Sequence, residues 1–538
     1  MGTRRGLAII FSLLIFFLLS ACREGHRDFQ TRTLEGRTVE ITGYLGSSDS
    51  VSIPPLIGGL PVTAIGDRAF ENRGIQSIFL PEGITAIGVR AFGRNELSDL
   101  YLPDSLVFLG AGAFSGNRIE SLRMSEFLEH IGNGAFQDNY ITEVFIPRSV
   151  QYIGNSAFTQ NRIVTLHIDD GVPHIGEAAF SRNQIESLTL GRGLRHIGNF
   201  AFENNRLPGL VVPEGLEYLG EWAFMNNRLS SLVLASDMET IGNGQFQGNE
   251  LTSISIPPSV RTIGDGAFAS NLIQSLYIDD QISSIGEGAF AGNRIRELRL
   301  GAGLVFLGDG VFSSNEIESL IIPSGLSAIS DGAFVRNQIS SLSIPEGILS
   351  IGAGSFQHNL LRTVTIPDSV TFIGAGAFAY NELERVHLGR GVELIEDYAF
   401  SDNQLTSISL PGSLVEIGQG AFARNQLRSL SIPGNVITIR EAAFYGNQIE
   451  TLSLARGLRT IGDHVFYENR LSRVTLPESI TYMGYGVFGG NQISSVTLGA
   501  DMRINEQSFD HNLGTFYIAN GRRMGTYVLV NGEWVHRP

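Results

Sequence analysis

The sequence predicts a repeat solenoid, one supersecondary unit stacked on itself about twenty times, and three regularities predict it. Phenylalanine recurs every 22 residues without a slip, from Phe70 through Phe92, Phe114 and Phe136 to Phe488. Asparagine stands three residues after every one of these but the first, as Asn95, Asn117, Asn139 and onward to Asn491; in the first copy it shifts to Asn72. The aliphatic residues around each phenylalanine recur in fixed columns, as Leu106, Leu109, Ile119, Leu122 and Met124 do around Phe114. Chance does not hold one register through so many intervals. Such an array buries its core between neighbouring copies and leaves long surfaces for binding.

Each part of the unit has its own signature. The run I-x-x-L-x-I, as in Ile185, Leu188 and Leu190, ends in period two. That is strand patterning, with alternate side chains pointing into the core. Proline often follows, as Pro81, Pro103, Pro147 and Pro213, and stops the strand. The segment Gly-x-x-Ala-Phe predicts a tight turn and a short helical or 3-10 stretch, with glycine supplying an unusual φ. Alanine admits close approach, and phenylalanine fills the layer between coils. The asparagine is expected to turn inward, bond backbone groups that the corner leaves unpaired, and stack into a ladder.

Both ends of such an array need caps, because an open edge invites strand pairing. Residues 38–61 are expected to form the first cap, where Val39, Ile41, Val51 and Ile53 alternate with polar residues. Residues 62–501 are the solenoid. Residues 502–538 read as a degenerate last repeat, marked by Phe509 and Asn512, and a β-hairpin cap around Asn531-Gly532.

These residues resemble a leucine-rich repeat, N-x-[IL]-x-x-[LV]-x-[IL]-P-x-x-[VL]-x-x-I-G-x-x-A-F. More narrowly, roughly residues 51–512 are similar to the BspA-like (treponemal-type) leucine-rich repeats of bacterial surface proteins. The resemblance implies a solenoid of parallel β-strands and an adhesive function, typically toward host extracellular-matrix proteins, host cells or other bacteria.

Residues 1–21 read as a secretion signal. Arg4 and Arg5 precede an apolar run from Leu7 to Leu19, too short to span a bilayer comfortably. Leu19-Ser20-Ala21-Cys22 resembles the bacterial lipobox, which implies that Cys22 carries a membrane anchor and that residues 22–37 tether the fold to it. Cys22 is the only cysteine in the chain, so no internal disulfide can form. Arg23 stands where some lipoproteins carry the aspartate that holds them in the inner membrane. The expected location is therefore the cell envelope, exposed on the outer membrane.

The formal net charge is −16, and every basic side chain is arginine or histidine, with no lysine. An acidic chain without a basic run argues against nucleic acid as a partner. A Walker A loop requires lysine, and neither H-E-x-x-H nor G-x-S-x-G occurs. The pairs Asp169–Asp170 and Asp279–Asp280 lie on corners of distant coils, too few oxygens for calcium. His130, His174 and His196 share a column, but no third ligand accompanies the adjacent pair as zinc would need. No catalytic residue, cofactor or metal is expected.

Function must then lie in outward columns that break the monotony. The column nine residues after the phenylalanine, here the late column, carries Phe79, Tyr101, Arg123, Phe145 and His167, and later Val211, Val233 and Tyr277. Toward the C-terminus it turns to small hydroxyls such as Ser343, Thr365 and Ser409. The column six residues before the phenylalanine, the early column, carries Phe108, His130, Tyr152, His174, His196 and Tyr218. Both are expected to flank one edge of the same sheet as a contiguous stripe for a protein ligand, since aromatic residues and arginine dominate interfaces. The alternative readings are a self-associating envelope or biofilm component and a glycan-binding lipoprotein.

Overall fold

The computed structural model describes residues 26–538; the expected signal and Cys22 lie outside the described residues. The described chain divides into two compact units, one of residues up to Met238 with Gly242–Pro257, and one of Glu239–Ile241 with Pro258–Pro538. Both are built from the same coil, in a parallel-strand β-solenoid of about 21 turns of about 22 residues.

Each coil typically supplies two short strands. One follows the phenylalanine, and one precedes the next. In the first unit Asp99–Tyr101 pairs in parallel with Ser121–Arg123, and Phe108–Leu109 pairs with His130–Ile131. The register is one repeat, so Tyr101 faces Arg123 and Phe108 faces His130. Along Glu143–Ile146 the exposed Glu143 and Phe145 alternate with the buried Val144 and Ile146, as strand geometry requires.

The phenylalanine column is fully buried, and its rings stack from coil to coil. Phe92 and Phe114 lie 5.2 Å apart with planes 4° from parallel, and Phe422 and Phe444 in the second unit lie 5.4 Å apart at 3°. The asparagines are buried beside them. Asn95 Nδ2 donates to the Phe92 carbonyl at 3.0 Å within its own coil and to the Phe70 carbonyl at 2.8 Å in the coil before. Its Oδ1 accepts from the amides of Arg73 and Ile75 at 3.0 and 3.1 Å. Each asparagine therefore satisfies the corner of the preceding coil. The first copy has no preceding phenylalanine to serve, which accounts for the absent asparagine after Phe70.

The Gly-x-x-Ala-Phe segment is built of turns throughout. Regular helix is confined to His26–Asp28, Asp510–Asn512 and Leu513–Ala519 among the described residues. The physical reason is an alternation of partners. The amides of Arg90, Phe92 and Arg94 donate to Ala111, Ala113 and Ser115 of the next coil, while those of Ala91 and Gly93 close turns onto Gly88 and Arg90. A helix would need every amide for itself.

The glycine of that segment also has a different role from the expected one. Gly110 has no left-handed φ; instead, a Cβ there would come within 2.6 Å of the Gly88 carbonyl carbon. The left-handed positions fall two residues either side of the phenylalanine, as at Arg90 (φ 53°) and Arg94 (φ 58°).

At the N-terminal end the cap begins at Phe29, earlier than the Thr38 expected. Phe29–Leu34 pairs antiparallel with Thr38–Tyr44, which pairs in parallel with Leu60–Ile65, the start of the regular ladder. At the other end the expected hairpin is present. Gly525–Val530 and Glu533–Arg537 pair across Asn531 (φ 51°) and Gly532 (φ 86°), and Gly525–Val530 covers the edge of the last repeat strand, Ser495–Leu498. Phe509 continues the ring stack, 4.9 Å from Phe488. Asn512 does not continue the ladder. It is exposed with φ 56° before the helix Leu513–Ala519, and Asp510 Oδ2 instead accepts the Gly490 amide at 2.9 Å.

Candidate binding surface

The late column lines the outer face of the strands that follow the phenylalanine. Tyr101 is 63% exposed, Phe145 52% and Phe79 40%. Phe145 stacks on His167 at 4.9 Å and 6°. Arg123 is held to Asp104, Nη2 to Oδ2 at 3.3 Å. Val211 and Val233 continue the face at 66% and 57% exposure. Tyr101, Phe145, Val211 and Val233 thus present apolar groups to solvent on this face.

The early column is a continuous stack of six rings. Centroid distances are 5.1 Å for Phe108–His130, 5.4 Å for His130–Tyr152, 4.7 Å for Tyr152–His174, 4.2 Å for His174–His196 and 4.6 Å for His196–Tyr218. The rings are half-buried except at the ends, where Phe108 and Tyr218 are exposed. Tyr218 Oη donates to Asn199 Oδ1 at 2.8 Å. Burial lowers the pKa of His130, His174 and His196, and His196 lowers that of His174 further. His174 and His196 meet face to face, 13° from parallel, an arrangement for stacking and not for converging on an ion.

The two columns do not flank one edge of a single sheet, as the sequence suggested. The early column belongs to the 11-stranded sheet that starts at Phe29, whereas the late column belongs to separate short sheets such as Glu143–Ile146 with Thr165–Ile168 and Ser187–Thr189. The physical reason is that the proline corner ends one strand and the chain turns before the next begins. The exposed patch is thus the late column; the early column is chiefly a packing ladder with accessible ends.

Reading along two columns also missed aromatic residues elsewhere. Phe200 stacks on Trp222 at 5.1 Å, both with left-handed φ two residues before the phenylalanine. The late column itself continues into the second unit, where Arg299 lies over the Tyr277 ring at 5.1 Å and Ile321 is 75% exposed. The Phe200–Trp222 pair stands in a third column, two residues before the phenylalanine. The aspartate pairs act as corner caps: Asp170 Oδ1 accepts the Arg192 amide at 2.9 Å, and Asp280 Oδ1 accepts that of Ala302 at 2.7 Å.

Residues 63–186, 173–296, 261–385 and 393–514 match the family described as BspA type leucine rich repeat region (6 copies). Among solved structures the chain is similar to a leucine rich cell surface protein from Faecalibacterium prausnitzii, at 21% identity over 67% of this chain and 93% of that one, with a TM-score of 0.36. It is also similar to YopM from Yersinia enterocolitica, at 20% identity over 76% and 89% of the two chains, TM-score 0.39. A third likeness is to the pneumococcal vaccine antigen PcpA, at 18% identity over 64% and 91%, TM-score 0.35. No curated protein matches the chain.

Proposed function

Because the chain belongs to the BspA-type leucine-rich-repeat family, we propose that it is a cell-envelope binding protein that holds a protein ligand on its solenoid surface. The family supports a surface protein that acts by protein–protein contact. The observation that carries the reading further is the late column of the first unit. Its exposed Phe79, Tyr101 and Phe145 supply rigid apolar anchors of the kind that dominate interfaces, with Arg123 among them. The adhesive ligand is a host matrix protein or another cell-surface protein. Cys22 carries the lipid that ties the chain to the outer membrane, and the short segment after it serves as the tether.

The test is binding of the purified chain to a panel of immobilised extracellular-matrix proteins, paired with sedimentation at several concentrations. Saturable binding by a monomeric chain supports the reading. Failure to bind any of them, together with concentration-dependent oligomers, replaces it with the self-associating envelope component.

A further inference from the structure

A second surface of the first unit carries its own signal. The residues two and four after the phenylalanine emerge on either side of the buried asparagine. Over four consecutive coils these columns read Gln160 and Arg162, Arg182 and Gln184, Asn204 and Arg206, and Asn226 and Arg228, without a carboxylate. In the second unit no four consecutive coils are free of acid in these columns. A local cationic stripe in a chain of net charge −16 is a departure from the background field and not a reflection of it.

The guanidiniums are available. Arg162, Arg182 and Arg228 are exposed and form no ion pair among the described residues; only Arg206 reaches a carboxylate, that of Glu186 at 3.7 Å. Arg162 lies over the Tyr140 ring, 4.0 Å from its centroid, a contact that steadies the guanidinium without using its hydrogen-bond donors. Glu203, a second acid nearby, is engaged by Ser181 Oγ at 2.9 Å and Asn204 Nδ2 at 2.7 Å.

Between Asn204, Arg206, Asn226 and Arg228 lies a shallow concavity of about 360 Å³. Asn226 Nδ2 donates to Asn204 Oδ1 at 3.1 Å, so the amides form a short chain along the concavity. Gly248 forms its far wall, and a Cβ there would come within 2.3 Å of Asn226 Oδ1. Successive coils are about 5 Å apart, so the stripe presents a row of anion sites interleaved with amides.

We propose that this stripe binds a sulfated polysaccharide. Sulfate groups dock on the arginine forks, which are weakly hydrated and match planar or tetrahedral oxyanions. Sugar hydroxyls bond the Asn and Gln amides between them. The amides between the arginines favour a polyhydroxylated anion, whose hydroxyls they can bond, over a nucleic acid. This site is separate from the late column and does not depend on the protein-binding reading.

The experiment measures retention of the full chain on immobilised heparin, on desulfated heparin and on single-stranded DNA. The comparison variant combines Arg162→Gln, Arg182→Gln and Arg228→Gln. A control combines Arg294→Gln, Arg336→Gln and Arg470→Gln, from the same columns of the second unit. Unchanged melting of both variants establishes that folding is intact. The expected result is heparin binding by the wild type, a loss of at least about tenfold in the first variant, little change in the control and no retention on desulfated heparin. Absence of heparin binding at low ionic strength, an equal loss in the control, or equal retention on DNA overturns the proposal.

Discussion

Asn95 Nδ2 donates to the carbonyl oxygen of Phe70, twenty-five residues earlier in the chain, at 2.8 Å. The same bond recurs at Asn117 to Phe92, Asn139 to Phe114 and, in the second unit, Asn425 to Phe400. It makes each coil's polar satisfaction the work of the coil that follows it.

Truncating one rung should therefore loosen two coils. In Asn139→Ala the amide of Ile119 loses its acceptor, while the carbonyls of Phe114 and Phe136 each lose one of two bonds and keep those from Asn117 and Asn161. One buried amide left unpaired makes the expected cost about 2 kcal/mol. Because repeat arrays couple only to neighbours, the effect should appear as faster hydrogen exchange confined to these coils. Asn512→Gly, at an exposed left-handed position outside the ladder, should leave exchange unchanged in these coils.

The two kinds of glycine in a coil should respond differently to alanine. In Gly110→Ala the new Cβ meets backbone at 2.6 and 2.7 Å, so neighbouring coils must part. In Gly112→Ala it meets only the side chains of Arg90 and Ser115, at 3.2 Å, and the cost is the left-handed φ of 62°, about 1 kcal/mol. Thermal melting should show Gly110→Ala as clearly the more damaging of the two.

The ring stack of the early column should make the first unit sensitive to acid. Burial lowers the folded-state pKa of His130, His174 and His196 below the ordinary value of 6.5. The neutral rings are favoured in the fold, so the unfolded chain binds protons first as pH falls. Stability is complete above pH 6.5 and declines as pH drops below it. Replacing all three by phenylalanine should abolish this part of the pH dependence in melting curves taken between neutral and mildly acidic pH.

The proposed lipid anchor has a direct readout in cells. Globomycin should cause uncleaved precursor to accumulate, and Cys22→Ala should release the protein from the membrane fraction. A Cys22→Ala protein that stayed membrane-bound would falsify the anchor.

Much of this architecture was legible in the sequence because a repeat averages out local ambiguity. The Phe and Asn columns and the inward aliphatic positions have signatures that no single coil could establish alone, whereas the hairpin is legible from the Asn531-Gly532 dipeptide itself. What escaped reading depends on geometry between coils. Gly110 is required by the backbone of Gly88, a neighbour that the local motif does not reveal. The separation of Tyr101 and Phe108 onto different sheets follows from the corner between them, whose direction a linear pattern leaves open. The strand Phe29–Leu34 lies outside the repeat, so periodicity offered no guide to it. The arginine stripe lies in columns that carry few aromatic residues, so the aromatic signal does not point to it.

Affinity for a matrix protein bound by the wild type, measured side by side in two variants, tests the central functional claim most directly. One variant combines Tyr101→Ser with Phe145→Ser in the late column. The other combines Tyr380→Ser with Tyr398→Ser, two tyrosines each 46% exposed in the second unit. The account predicts that the first loses most of its binding with an unchanged melting temperature and that the second binds as the wild type does. Undiminished binding by the first, or loss in the second alone, contradicts it.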